Sequence, residues 1–100
     1  MSYITVLTKR AQQDIHKAAL HYKEIQISLG KDFIHEVRLI GAFLRKHPFA
    51  FQVRNNPPVR CAPLRKFPFM MHYIPVEKTN QIVVLALLHT HDNPEKWPGK

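Results

Sequence analysis

Residues 64–97 read LRKFPFMMHYIPVEKTNQIVVLALLHTHDNPEKW, and this stretch decides the fold. It holds two β-rich runs, Phe69–Val76 and Gln81–His89, joined by a polar turn over residues 77–80. In the first run Phe69, Met71 and Tyr73 share one face and Met70, His72 and Ile74 the other, as the two-residue period of a strand requires. The second run is apolar throughout: Ile82, Val84, Ala86 and Leu88 alternate with Val83, Leu85 and Leu87. A strand with no polar face is covered on both sides, so residues 81–89 are read as the spine of a sheet.

Working outward, Val59 to Leu64 is a further strand. Pro63 lacks an N–H for the ladder, which places it at an edge or an end. Residues 55–58, Asn-Asn-Pro-Pro, form a turn, and residues 51–53 beside them a short extra strand. Nearer the start, residues 10–26 carry Ala11, Ile15, Ala18, Ala19, Tyr22 and Ile25 at spacings of three and four, the stripe of an amphipathic helix with Thr8 as its N-cap. Ser28-Leu29-Gly30 is read as the break. A second helix from about residue 31 buries Phe33, Val37, Ile40 and Leu44 until His47-Pro48 stops it. So short a connection folds the two helices back on each other. Tyr3 to Leu7 is a first strand. The expected architecture is therefore α+β: an N-terminal strand, then an antiparallel helical hairpin packed on a twisted, mainly antiparallel sheet of four to five strands.

One hundred residues with 45% hydrophobic content fit a single domain over residues 1–100. No apolar run is long enough to span a membrane, and MSYITVLTKR lacks the apolar core of a secretion signal, which gives a cytoplasmic expectation. The lone Cys61 has no partner for a disulfide and no second Cys for a zinc site, so it is read as a bland buried thiol. Fifteen Lys and Arg against seven Asp and Glu give a net charge of +8, which favours a polyanionic or acidic partner. Arg10, Lys17, Arg38, Arg45 and Lys46 on the helices are candidate charged rims.

The Lys66-Phe67-Pro68-Phe69 lead into one strand, Tyr73 in its middle, the Val84-Leu85-Ala86 to Leu88-His89 end of the next, and the closing Asn93-Pro94 and Trp97 come in an order that resembles the RelE/ParE superfamily. These are the toxin halves of bacterial type II toxin-antitoxin modules, also described as plasmid stabilisation proteins. Together with ALHYKEIQISLGKDFIHEV and LRKHPFAF the resemblance covers nearly the whole chain. It implies the same α+β architecture, growth inhibition as the activity, no cofactor, and an acidic cognate antitoxin as partner. A second copy of the chain is a further candidate partner.

The resemblance leaves the target open between the ribosome with its mRNA and DNA gyrase. The mRNA endonucleases of the superfamily cleave without metal, with basic and His or Tyr groups on the concave face of the sheet acting as base, phosphate clamp and acid. Here the residue after Phe69 is Met70, and the preceding strand offers Cys61 and Pro63 where cations are expected. Under an endonuclease reading the catalytic candidates are His91, Arg65, Lys66 and Tyr73. The missing cations favour instead a toxin that binds an essential target, of the gyrase-directed kind, with Arg60, Arg65, His72, His89 and Trp97 as candidate binding residues. A third reading is an inactive relative that binds only its antitoxin. His89 and His91, two apart, share a face in a strand and would converge on an ion, but no third ligand is visible, so no metal site is assigned. An exposed indole seeks cover, so Trp97 is expected to pack against this chain, with the tail over residues 94–99 folded back on the sheet, or against a sister chain or the antitoxin.

Overall fold

The computed structural model describes residues 3–54 and 58–98. Asn55, Asn56 and Pro57 of the expected turn, and Gly99 of the expected tail, lie outside them. Among the described residues four strands, β1 (Ile4–Leu7), β2 (Arg60–Pro63), β3 (Phe69–Val76) and β4 (Gln81–His89), form one sheet in the order β1-β4-β3-β2. Two helices, α1 (Lys9–Ile25) and α2 (Ile27–Lys46), connect β1 to the meander. β1 runs parallel to β4, and the other two pairings are antiparallel. The central position expected for residues 81–89 is the observed one.

Thr8 caps α1 as its sequence position suggests. Its hydroxyl accepts the Ala11 N–H at 3.1 Å and donates to the Leu85 carbonyl at 3.0 Å, so one side chain starts the helix and ties it to the sheet. The break between the helices differs from the expectation. It falls at Gln26, whose φ of −161° and ψ of 132° are extended, and Ser28-Leu29-Gly30 lies inside α2. Gly30 serves helix contact instead. A β-carbon there would stand 2.9 Å from Lys23 Cβ and 3.2 Å from Lys23 Cα, so only glycine lets the two helices approach this closely.

β3 and β4 have the expected bounds, but their alternation is broken. Tyr73 pairs with Val84 and His72 with Ala86, leaving Leu85 without an opposite number. The face of β4 therefore switches: Ile82, Val84 and Leu87 join the core under the helices, whereas Ala86 and Leu88 turn to the other side. The main core gathers Ala11, Phe33, Leu44, Met71, Tyr73 and these β4 residues, with Tyr22, Phe33, Phe67 and Phe69 in edge and stacked contact at 4.8–6.2 Å. Residues 51–53 make a single bridge, Val53 to Arg60, rather than a strand. Beyond the end of β1, β4 is closed by side chains: the Asp14 carboxylate accepts the Leu87 N–H at 3.1 Å and Asp92 accepts that of His89 at 3.0 Å. No helix among the described residues is long and apolar enough to cross a membrane.

Candidate functional site

The sheet presents two faces, and the candidate residues divide between them. Cross-strand partners share a face, so Arg60 and Tyr73 lie toward the helices while Cys61, Met70, His72, Ala86 and Leu88 lie on the far side. Those far-side residues are all buried, yet none belongs to the main core. The C-terminal segment contributes their cover. After β4 the chain turns at Thr90 and His91, Asn93 Oδ1 accepts the Glu95 N–H at 3.0 Å, and a single 3-10 turn over Pro94–Lys96 delivers Trp97 onto His72. Their rings meet edge to face at 5.0 Å. Of the three covers open to this indole, the structure shows its own chain. Arg10 donates to the Lys96 carbonyl, Lys96 lies 3.8 Å from Asp92, and the Arg54 guanidinium sits 6.0 Å from the indole centre.

His72 is the most constrained titratable group at this site. It is 0% exposed, its Nδ1 lies 3.4 Å from Cys61 Sγ, and its Nε2 has no partner. Burial, reinforced by the positive charges of Arg10 and Arg54, lowers its pKa to about 4, so the ring is neutral at physiological pH. Burial pushes the Cys61 thiol up, with Arg54 opposing, which makes it a protonated, unreactive sulfur. The indole N–H of Trp97 is also buried without a partner.

The Tyr73 phenol is sealed in the core. It is 0% exposed and donates to the Pro48 carbonyl at 3.1 Å. Burial holds its pKa up at about 12, against a smaller opposing effect of Arg60. Arg60 tethers the same loop, bonding the Phe51 carbonyl at 2.7 Å with its guanidinium 5.0 Å from the Phe49 ring centre. Arg65 and Lys66 are exposed on the β2–β3 loop, and their N–H groups are held by the buried Glu36 carboxylate at 2.9 and 3.2 Å.

His89 packs edge-on against Phe69 at 5.3 Å, and its Nδ1 accepts the His91 N–H at 3.1 Å. That bond occupies one of the two ring nitrogens of His89, and His91 itself is exposed. Among the described residues no group of three His, Cys, Asp or Glu side chains is placed to hold an ion. The sequence candidates are therefore distributed: His72 and Trp97 on the far face, Tyr73 and Arg60 at the 48–51 loop, Arg65 and Lys66 on the β2–β3 loop, and His89 with His91 at the end of β4, where the Pro68 carbonyl of that loop accepts the Thr90 N–H at 2.8 Å. Glu36, Asp14 and Arg54 were not singled out from sequence. A single carboxylate or guanidinium carries no periodic signal, and its partners lie tens of residues away.

Three depressions surround these groups. A groove of about 570 Å³ between α2 and the β2–β3 loop is lined by Leu39, Ile40, Phe43, Phe51 and Leu64, with Glu36 and Arg65 at its polar end. The outer seam of the helical hairpin holds one of about 430 Å³, where Leu20, Ile27 and Ile34 are rimmed by Lys23, Lys31 and Arg38. A third, of about 400 Å³, lies between α1 and the C-terminal segment and carries Arg10, Asp14, Lys17, His21, Asp92 and Lys96.

No protein-family model matches the sequence, and no curated protein matches it either. Solved structures do match. A toxin chain of the chromosomal ParDE system from P. aeruginosa superposes with a TM-score of 0.75 at 18% identity, covering 88% of this chain and 96% of that one. This is the RelE/ParE toxin fold. The RelBE2 toxin-antitoxin complex of Mycobacterium tuberculosis gives a TM-score of 0.65 at 15% identity, covering 89% of this chain and 99% of its match. Free E. coli RelE carrying two Arg-to-Ala substitutions gives 0.62 at 13% identity, covering 91% and 86%. The RelE and ParE neighbours are toxins of type II toxin-antitoxin modules, and the present chain shares their two helices on a four-stranded mixed sheet with an N-terminal strand.

Proposed function

We propose that this protein is the toxin of a type II toxin-antitoxin module and arrests growth by binding an essential target, with DNA gyrase the favoured one. The observation that carries the choice of binding over RNA cleavage is the far face of the sheet. A metal-free ribonuclease needs exposed cations and a titratable base converging on one phosphate. Here that face carries Cys61, Met70 and a neutral, fully buried His72 under Trp97, while the exposed His91, Arg65 and Lys66 lie on turns outside the strands. Tyr73 is sealed in the core and keeps its proton.

An antitoxin with an acidic amphipathic segment is the expected partner. The two apolar grooves on the helices suit it, since one is rimmed by Lys23, Lys31 and Arg38 and the other exposes Leu39 and Phe43. The test of the target is induced expression without antitoxin, followed by pulse labelling. The expected result is a halt in DNA synthesis and a DNA-damage response while mRNA stays full length. Rapid mRNA cleavage that is lost in His91→Ala or Arg65→Ala would establish the endonuclease reading instead. Normal growth under induction would leave only the antitoxin-binding role.

A further inference from the structure

α2 turns one face away from the core. Asp32, His35, Leu39, Phe43 and Lys46 recur at spacings of three and four and are all exposed, so they draw a stripe along the helix apart from the buried Phe33 and Leu44. The middle of the stripe is apolar. Leu39 is 52% and Phe43 44% exposed, and beside them runs the groove walled by Ile40, Phe51 and Leu64, with the Phe43 and Phe51 rings 5.9 Å apart. Contiguous exposed apolar surface with aromatic rings at its centre marks a face that associates.

The ends of the stripe carry opposite charges. Asp32 and Lys46 stand seven residues, or about 10 Å, on either side of Leu39. Among the described residues neither is in an ion pair within the chain. An apolar centre with one charge of each sign at equal distances is self-complementary, as pairing of two copies about a two-fold axis requires. The outer seam of the hairpin lacks this property, since its rim of Lys23, Lys31 and Arg38 has a single sign and repels a second copy.

We propose that this face of α2 is a self-association surface on which two copies of the chain pair as an isologous dimer, their α2 helices antiparallel and crossing at Leu39. In that register Leu39 meets Leu39 of the second copy, Phe43 of each copy enters the groove of the other, and Asp32 of each faces Lys46 of the other. A parallel pair would set like charges against each other at both ends, which costs association. The net charge of +8 on each copy opposes approach at long range, but at physiological ionic strength it is screened beyond about 8 Å, so contacts across the face decide. An antitoxin helix in this groove and a second copy exclude each other, while the pairing itself rests on α2 and holds whatever the target of the toxin.

The mass of the full chain without antitoxin is followed by light scattering from about 1 µM to about 1 mM, the span of weak to moderate affinities. A monomer–dimer equilibrium is expected within it. Leu39→Lys should weaken dimerisation at least tenfold at an unchanged urea midpoint; Leu39→Ala serves if that variant does not fold. Asp32→Lys and Lys46→Asp each set like charges across the axis at both ends and should weaken it roughly tenfold. Lys46→Asp also lowers the net charge, so a non-specific association would become stronger in it. The double variant Asp32→Lys/Lys46→Asp should restore the dimer, and mixing the two single variants should give a heterodimer. A chain that is monomeric throughout leaves the groove to a different partner and overturns the proposal. So does a dimer that neither Leu39 variant weakens, or one in which the double exchange fails to restore what the single ones lose.

Discussion

The carboxylate of Glu36, 6% exposed on α2, accepts the main-chain N–H groups of Arg65 and Lys66 at 2.9 and 3.2 Å. One buried acid thus anchors the loop that presents two exposed cations ahead of β3. Removing it leaves two N–H groups unpaired in a partly buried site, and bonds to charged groups are worth about 1.5–3 kcal/mol each. Glu36→Ala is expected to lower stability by about 2–3 kcal/mol, seen as a fall in the urea midpoint. Glu36→Gln, which keeps an acceptor oxygen, should lose less than half as much.

Asp14 does the same for the sheet, closing the Leu87 N–H where β1 has ended. Asp14→Ala should free that amide, so its hydrogen exchange should accelerate far more than those of Ile82 and Val84 in the same strand. Equal acceleration along β4 would mean that Asp14 supports the whole sheet rather than its open end.

Gly30 sits where a β-carbon would stand 2.9 Å from Lys23 Cβ. Alanine gains roughly 1 kcal/mol of helix propensity over glycine. Forced separation of packed helices costs about 1–3 kcal/mol, so Gly30→Ala is expected to be net destabilising in thermal melts. A stabilised variant would show that the hairpin relaxes without cost.

His72 makes stability depend on pH with a defined sign. The unfolded chain binds a proton at His72 near its ordinary value of 6.5, whereas the folded chain refuses it until about 4. The unfolded state therefore binds more protons between those values, and stability present above pH 6.5 is lost as the pH falls toward 4. The contribution is about 3 kcal/mol at most. Urea midpoints at pH 7.5 and 4.5 should differ more for the wild type than for His72→Gln, and equal differences would refute the assignment.

Much of the fold is legible in the chain because its strongest signals are local. Thr8 caps the helix it precedes, and the double-sided apolar run of β4 marks the sheet centre without reference to any other segment. The misreadings are those in which a distant partner decides. Gly30 has the look of a helix breaker until Lys23 of the other helix is seen against it. The bulge between His72 and Tyr73 moves Ala86 and Leu88 to the far face although their alternation continues unbroken in the sequence. The candidate site suffers most from this, since what its side chains meet is set by remote segments: Tyr73 reaches the Pro48 carbonyl and His72 the Trp97 ring. The sequence asks for cover over Trp97 without saying whose, and that it docks on His72 follows only from the path of the C-terminal segment.

The central claim is that the chain acts by binding, and purified components test it most directly. The protein is added to DNA gyrase with relaxed plasmid, and in parallel to translating ribosomes on a defined mRNA. Loss of supercoiling by gyrase with intact mRNA is the predicted result; codon-specific cleavage of the mRNA with gyrase unaffected would contradict it.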